Sequence, residues 1–200
     1  MKRIFAALAF ALVALSLAAA QRLPEVAAPE NYKLSFSPDL EKATFDGDET
    51  ISIRVLKPTS EITLNAVGID FHDVTITSGG SSQKAKVTPE KEKEMVVLSV
   101  EKPLSAGPAT VHITYSGVLN SEMRGFYTGK DDQGRKYAAT QFEATDARRA
   151  FPSFDEPDYK ATFDITTTAD KGQVAISNSK IASDTPGPGD KHTVRFATSP

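Results

Sequence analysis

Between Thr140 and Phe163 the chain reads TQFEATDARRAFPSFDEPDYKATF, the densest gathering of chemically capable side chains in the sequence. Five carboxylates fall in it (Glu143, Asp146, Asp155, Glu156 and Asp158), with the adjacent Arg148 and Arg149 and the breakers Pro152 and Pro157. Carboxylates so placed can pair with a cation, ligate a metal or move a proton. They can equally be solvated loop charges that pair with the arginines, and exposed pairs of that kind contribute about 0 to 1 kcal/mol. Two readings stand side by side. In one, the segment is a charged corner between strands. In the other, it docks against another domain while Glu143, set by alternation on the face opposite Phe142, offers a lone carboxylate to a cleft.

No complete catalytic set accompanies these residues. A hydrolytic metal site needs several imidazoles or carboxylates converging on one ion, and two His four residues apart on a helix supply the commonest pair. The chain has three histidines, His72, His112 and His192, none at that spacing. Each is expected on a strand surface or edge, and no metal is assigned to this chain. A nucleophile elbow, a phosphate-binding glycine loop and a cysteine nucleophile are all missing from the sequence.

The elements that must position this segment are strands. Tyr32, Leu34 and Phe36 alternate with polar residues in NYKLSFS, and Ile51, Ile53 and Val55 do so in TISIRVLK. A period of two buries one face of a sheet. The same pattern recurs in EITLNAV, IDFHDVTITS, KEMVVLSVE, ATVHITYSG, KATFDITTTAD, GQVAISNSK and KHTVRFAT. Turn signals separate them: Asp46-Gly47, Gly79-Gly80, Pro103, Gly107-Pro108 and the run from Pro186 to Gly189. Many short strands without a long amphipathic helix predict an all-β sandwich or open barrel. Within the charged segment we expect a strand over Arg135–Phe142, then one or two helical turns in ATDARRAF. Thr145 would cap them, with Asp146 in the first turn and the arginines in the last. Pro152 would end the turns, and a further strand would begin at Lys160.

Composition removes some classes of function. A net charge of −3 gives no basic footprint for nucleic acid. An aromatic share of 8% without tryptophan argues against a sugar-stacking platform. Lys2 and Arg3 precede an apolar run from Ile4 to Leu15 that ends in SLAAA, the form of a secretory signal peptide over residues 1–20 cleaved before Gln21. An uncleaved membrane anchor is the alternative. Without cysteine, neither a lipidated Cys nor a disulfide is available, so an exported, periplasmic or secreted product would rely on its core. The absence of an Asn-x-Ser/Thr site favours a bacterial envelope. Residues 21–200 are expected to form one sandwich domain, incomplete at its C-terminal end.

TQFEATDARRAFPSFDEPDYKATF resembles the N-terminal domain of M1-family zinc aminopeptidases, the group of aminopeptidase N and the puromycin-sensitive enzyme. RLPEVAAPENYKLSFSPDLEKATFDGDETISI and GFYTGKDDQGRKYAATQFEAT are similar to the segments that open that domain and lead into its hallmark. One departure is Ser153, where many relatives carry Cys. The resemblance implies a saddle-like β-sandwich that forms one wall of the active site against a catalytic domain of the same enzyme. It implies that Glu143 binds the α-ammonium of a peptide substrate with a free N-terminus, and that Gln141 lines the pocket for the first side chain. Asp155, Glu156, Pro157 and Arg148 would hold the corner. Zinc would be the cofactor of the full-length enzyme, carried by an HExxH helix that is not in this sequence, as the family's GAMEN loop is not. We therefore expect an N-terminal piece of a longer aminopeptidase, inactive alone. The alternative is a stand-alone, non-catalytic binding or scaffolding module on the same fold.

Overall fold

Alternation decides which residues become strands, and in the computed structural model, which describes residues 22–199, nearly every alternating run is one. The expected signal helix lies outside those residues. The strands are β1 (Ala27–Asp39), β2 (Thr44–Val55), β3 (Thr59–Asn65), β4 (Ile69–Ser78), β5 (Ser81–Lys84), β6 (Lys86–Glu90) and β7 (Met95–Leu104). They continue as β8 (Gly107–Val118), β9 (Gly125–Lys130), β10 (Lys136–Gln141), β11 (Thr162–Asp170), β12 (Ile181–Pro186) and β13 (Lys191–Phe196). The all-β class expected from the sequence is what the chain adopts.

Eight strands form one large sheet in the order β12-β13-β11-β1-β2-β8-β4-β5, and β3-β7-β6 form a second. β9 and β10 make a separate two-stranded hairpin. Along β2, Phe45, Gly47, Glu49, Ile51, Ile53 and Val55 are buried, while Asp46, Asp48 and Arg54 are exposed. Ile62 and Leu64 on β3 and Val96 and Leu98 on β7 join the same core as Ile51, Ile53, Val111 and Ile113 of the large sheet. Full burial of each such side chain contributes about 1.5 to 3 kcal/mol. The two sheets are therefore layers of one sandwich.

Several local expectations need correction, among them Gly107-Pro108, read as a turn, which opens β8 opposite Val55 and Arg54. Asp46-Gly47 is no turn but lies inside β2, opposite Tyr115 of β8. The glycine is there for space: a Cβ at Gly47 would stand 2.2 Å from the Tyr115 ring, so the ring lies flat over a bare backbone. GQVAISNSK, expected as a strand, joins no β-ladder among the described residues, and Val174 and Ile176 are 81% and 87% exposed. Pro103 falls within β7, because its missing N–H is not called on at that end of the strand.

The large sheet has one parallel pair. β1 runs alongside β11 from Asn31 opposite Thr162 to Phe36 opposite Thr167. The Asn31 side-chain amide donates to Thr162 Oγ1 at 2.9 Å and to Asp164 Oδ2 at 3.1 Å, fixing that register across a long sequence gap. This pairing returns the chain after the charged segment to the sheet it left. The segment is thereby held between the hairpin and the large sheet.

Candidate functional site

The site is built from the end of the β9–β10 hairpin. Its loop is tied by Asp131, whose carboxylate accepts the N–H groups of Gln133 and Arg135 at 2.9 Å and the Arg135 Nε at 2.7 Å. That carboxylate is held below the usual range chiefly by the Arg135 side chain. The two strands pair from Lys136 opposite Lys130 to Gln141 opposite Gly125. Gln141 is the last paired residue of β10 and is exposed.

Beyond Gln141 the chain makes a tight turn. Phe142 goes inward, its ring edge-on to Phe151 at 5.8 Å between centroids. Glu143, Ala144 and Thr145 are exposed, and the Asp146 N–H closes the turn by donating to the Phe142 carbonyl at 2.9 Å. Phe142 is thus partly buried and Glu143 exposed, in a turn that lies beyond the last paired residue of β10. A cleft of about 880 Å³ opens between the hairpin and the large sheet, and Thr140 and Phe142 line it. Gln141 and Glu143 are not among its lining residues, so this cleft is not one to which Glu143 offers its carboxylate.

The expected helix is reduced to a single 3-10 turn over Ala147–Arg149, and Thr145 does not cap it. Asp146 occupies the cap position without making a cap hydrogen bond. Its carboxylate is already engaged, by Arg124 through Nε and Nη2, both at 3.0 Å, and by Arg149 Nε at 2.8 Å. The hydrogen bonds from Arg124 do most to hold this carboxyl below its ordinary range, and Arg149 adds to them against the opposing effect of burial.

Arg148 turns the other way, into the domain. Its Nε donates to Asp155 Oδ2 at 2.8 Å, its Nη1 to Glu94 Oε2 at 3.0 Å and its Nη2 to the Asp155 carbonyl at 3.2 Å. Both Arg148 and Asp155 are mostly buried, so each leans on the other to offset desolvation. Glu94, at the end of the β6–β7 connection, has no signal in the sequence that would place it here; its contact is purely tertiary. Ser153 pairs through its backbone with Asn65, at 2.8 and 3.0 Å, and the Phe154 N–H donates to the Tyr32 hydroxyl at 3.0 Å. The Ser153 hydroxyl is buried without a protein partner, where a less polar thiol or methyl would lose nothing. Glu156 accepts the Leu23 N–H and lies 3.8 Å from Arg22, while Pro157 is exposed.

The segment therefore divides. Arg148, Asp155 and Glu156 spend their polar groups inside the domain, and the ion pairs of the corner run through Arg124, Asp146, Arg148, Arg149, Asp155 and Glu94, leaving Glu143 outside them. An exposed carboxylate on an anchored turn can accept hydrogen bonds from a cation such as an ammonium group. Among the described residues no three His, Asp or Glu side chains gather as metal ligands. His72 pairs with Ser116, His112 with Asp48 and His192 with Asp184, each on its own strand. These residues do not fit a zinc site.

Residues 28–200 match the family model of the peptidase M1 N-terminal domain. The chain belongs to that family. It is 39% identical over 188 residues to the puromycin-sensitive aminopeptidase of Caenorhabditis elegans, covering 90% of this chain and 20% of that protein. It is 36% identical over 186 residues to aminopeptidase N of Acetobacter pasteurianus, covering 91% of this chain and 52% of that protein. Aminopeptidase M1-C of Oryza sativa subsp. japonica is 36% identical over 182 residues, with 90% and 20% covered. The M1 N-terminal domain described here thus spans between a fifth and about half of the length of these relatives.

Proposed function

We propose that this M1 N-terminal domain is the part of an exported zinc aminopeptidase that recognises the substrate's free α-ammonium group, with Glu143 as the recognising carboxylate. The observation that carries the reading is the Glu143 turn: an exposed carboxylate, outside the corner's ion pairs, on a loop whose base is closed by the Asp146 N–H. Glu143 is exposed in this domain, and only where a catalytic domain covered that face would the carboxylate be partly dehydrated and attract an ammonium more strongly than in bulk water. Placed beside a peptide bond, it measures one residue from the N-terminus and so selects exopeptidase cleavage. Gln141, adjacent and exposed, would face the first side chain. The zinc belongs, in this reading, to a catalytic domain not contained in these residues, where it would polarise the scissile carbonyl. Asp155, Glu156, Pro157 and Arg148 keep the corner in shape.

The test is Glu143→Gln in the longest product the gene encodes, assayed on aminoacyl fluorogenic substrates. The expected loss in kcat/KM is at least about tenfold, from an amine contact that strengthens in the transition state. Equal rates in variant and parent would refute the reading. An authentic stop after Pro200 with a folded 200-residue product would favour the non-catalytic module instead.

A further inference from the structure

We propose that Arg124 and Asp146 are positioning residues for Glu143, forming a clamp that fixes the loop which presents it; the inference rests on the amine-binding reading of Glu143. The loop leaves the hairpin at Gln141, which stands opposite Gly125. It comes back at Asp146, whose carboxylate is gripped in a two-pronged bond by Arg124, the residue immediately before Gly125. Departure and return are thus tied to two consecutive residues of the same strand end. Glu143 sits between the two ties.

Three further contacts make the base of the loop rigid. The Asp146 N–H holds the Phe142 carbonyl, Arg149 Nε supplies a second cation to the same carboxylate at 2.8 Å, and the Phe142 ring is packed on Phe151. Gly125 is what lets the parts come this close. Its φ is +62°, and a Cβ there would stand 2.4 Å from the Arg149 Cβ and 3.1 Å from the Asp146 carbonyl. The Asp146 side chain is 7% exposed and that of Arg124 is 50% exposed. The anchor is therefore inside and the grip is outside. A planar guanidinium matched to a carboxylate fixes direction as well as distance. A displacement of about 1 Å in a binding group can cost about a hundredfold in rate, so a loop of this kind needs such a grip.

The experiment is a double-mutant cycle with Arg124→Gln and Glu143→Gln in the longest product the gene encodes, on the same aminoacyl substrates. Because Arg124 is half exposed, its replacement leaves the core intact, and thermal unfolding verifies this. Arg124→Gln is expected to lower kcat/KM about tenfold when Glu143 is present, and less than about twofold when residue 143 is already glutamine. Equal losses in both backgrounds would overturn the positioning role, since a merely structural residue would act on both alike. Amide hydrogen exchange gives a readout independent of activity: the Asp146 N–H should exchange at least about tenfold faster in Arg124→Gln. Unchanged exchange would overturn the clamp whatever the activity shows. Should Glu143→Gln alone lose nothing, the amine reading falls by itself, and accelerated exchange would still uphold the clamp on the loop.

Discussion

Glu49 stands in β2 where the alternation calls for an apolar side chain, flanked across the sheet by Leu34 and Ile113. It is 0% exposed, and neither carboxylate oxygen nor the nearby Tyr115 hydroxyl has a protein partner. Burial pushes its carboxyl well above the ordinary range, and the charge of Asp48 pushes the same way. The folded state therefore favours the protonated acid. Relative to the unfolded chain, whose glutamates titrate near pH 4.3, stability is highest below that pH and falls as pH rises toward the folded value. We expect Glu49→Leu to stabilise the domain at pH 7 by about 1 to 3 kcal/mol. The gain should shrink toward pH 4, as read by urea unfolding at both values. A pH-independent gain would show that Glu49 is not the titrating group. The sequence reading misses this residue, because Asp46-Gly47 reads as a turn and the strand is expected from Thr50, although Phe45, Gly47, Glu49, Ile51 and Ile53 recur at every second position. For Glu143 the residue pattern leaves two readings open, a solvated loop charge or a lone carboxylate offered to a cleft. The role proposed for it rests on the family resemblance.

At the scale of elements, the cleanly alternating strands were readable, but β1 and β2, read from Asn31 and Thr50, begin earlier, at Ala27 and Thr44, and β12 over Ile181–Pro186 is not among the expected strands. β10 was expected over Arg135–Phe142 and covers Lys136–Gln141. β5 and β6, SSQK and KVTPE, carry too few apolar side chains to produce a period, and they exist because β4 and β7 offer them free edges. GQVAISNSK shows the converse, since alternation without a partner strand makes no ladder. Of the one or two helical turns expected for ATDARRAF a single 3-10 turn forms, with Asp146 rather than Thr145 at the cap position and no cap hydrogen bond to the backbone's orphan N–H groups. Here two guanidinium groups outcompete them for Asp146. Gly47 misled because Asp-Gly is a common turn pair, whereas its purpose is to seat an aromatic ring from the neighbouring strand. Gly47→Ala should therefore destabilise by about 1 to 3 kcal/mol, from overpacking against Tyr115. Replacing Tyr115 by Leu in the same chain should recover part of that loss. Additive losses in thermal unfolding would refute the contact as the cause.

For the whole molecule, one core shared by two sheets carries stability without any disulfide, as a chain with no cysteine must. That is compatible with export in the unfolded state followed by folding outside, and the proposal of an exported enzyme predicts a mature N-terminus at Gln21. N-terminal sequencing of the product recovered from the cell envelope or medium checks this. An intact Met1 on protein held in the membrane would favour the uncleaved anchor, and an intact Met1 on active protein found only in the cytoplasm would remove the export reading. The sequence alone disclosed the architecture of this core, because hydrophobic period is a local property. It did not disclose which distant segments meet, because Glu94 with Arg148 and Arg124 with Asp146 are joined only by the fold.

The parallel pairing of β1 with β11 also sets an order of events. β1, β2, β8 and β4 are neighbours linked by antiparallel pairs within the first 118 residues, whereas the other edge of β1 must wait for residues 162 to 167. Closing so long a loop is slow, because its entropy is lost before the contacts reward it. Until then β1 presents an unpaired edge, so newly made chains are most prone to associate with one another at that stage.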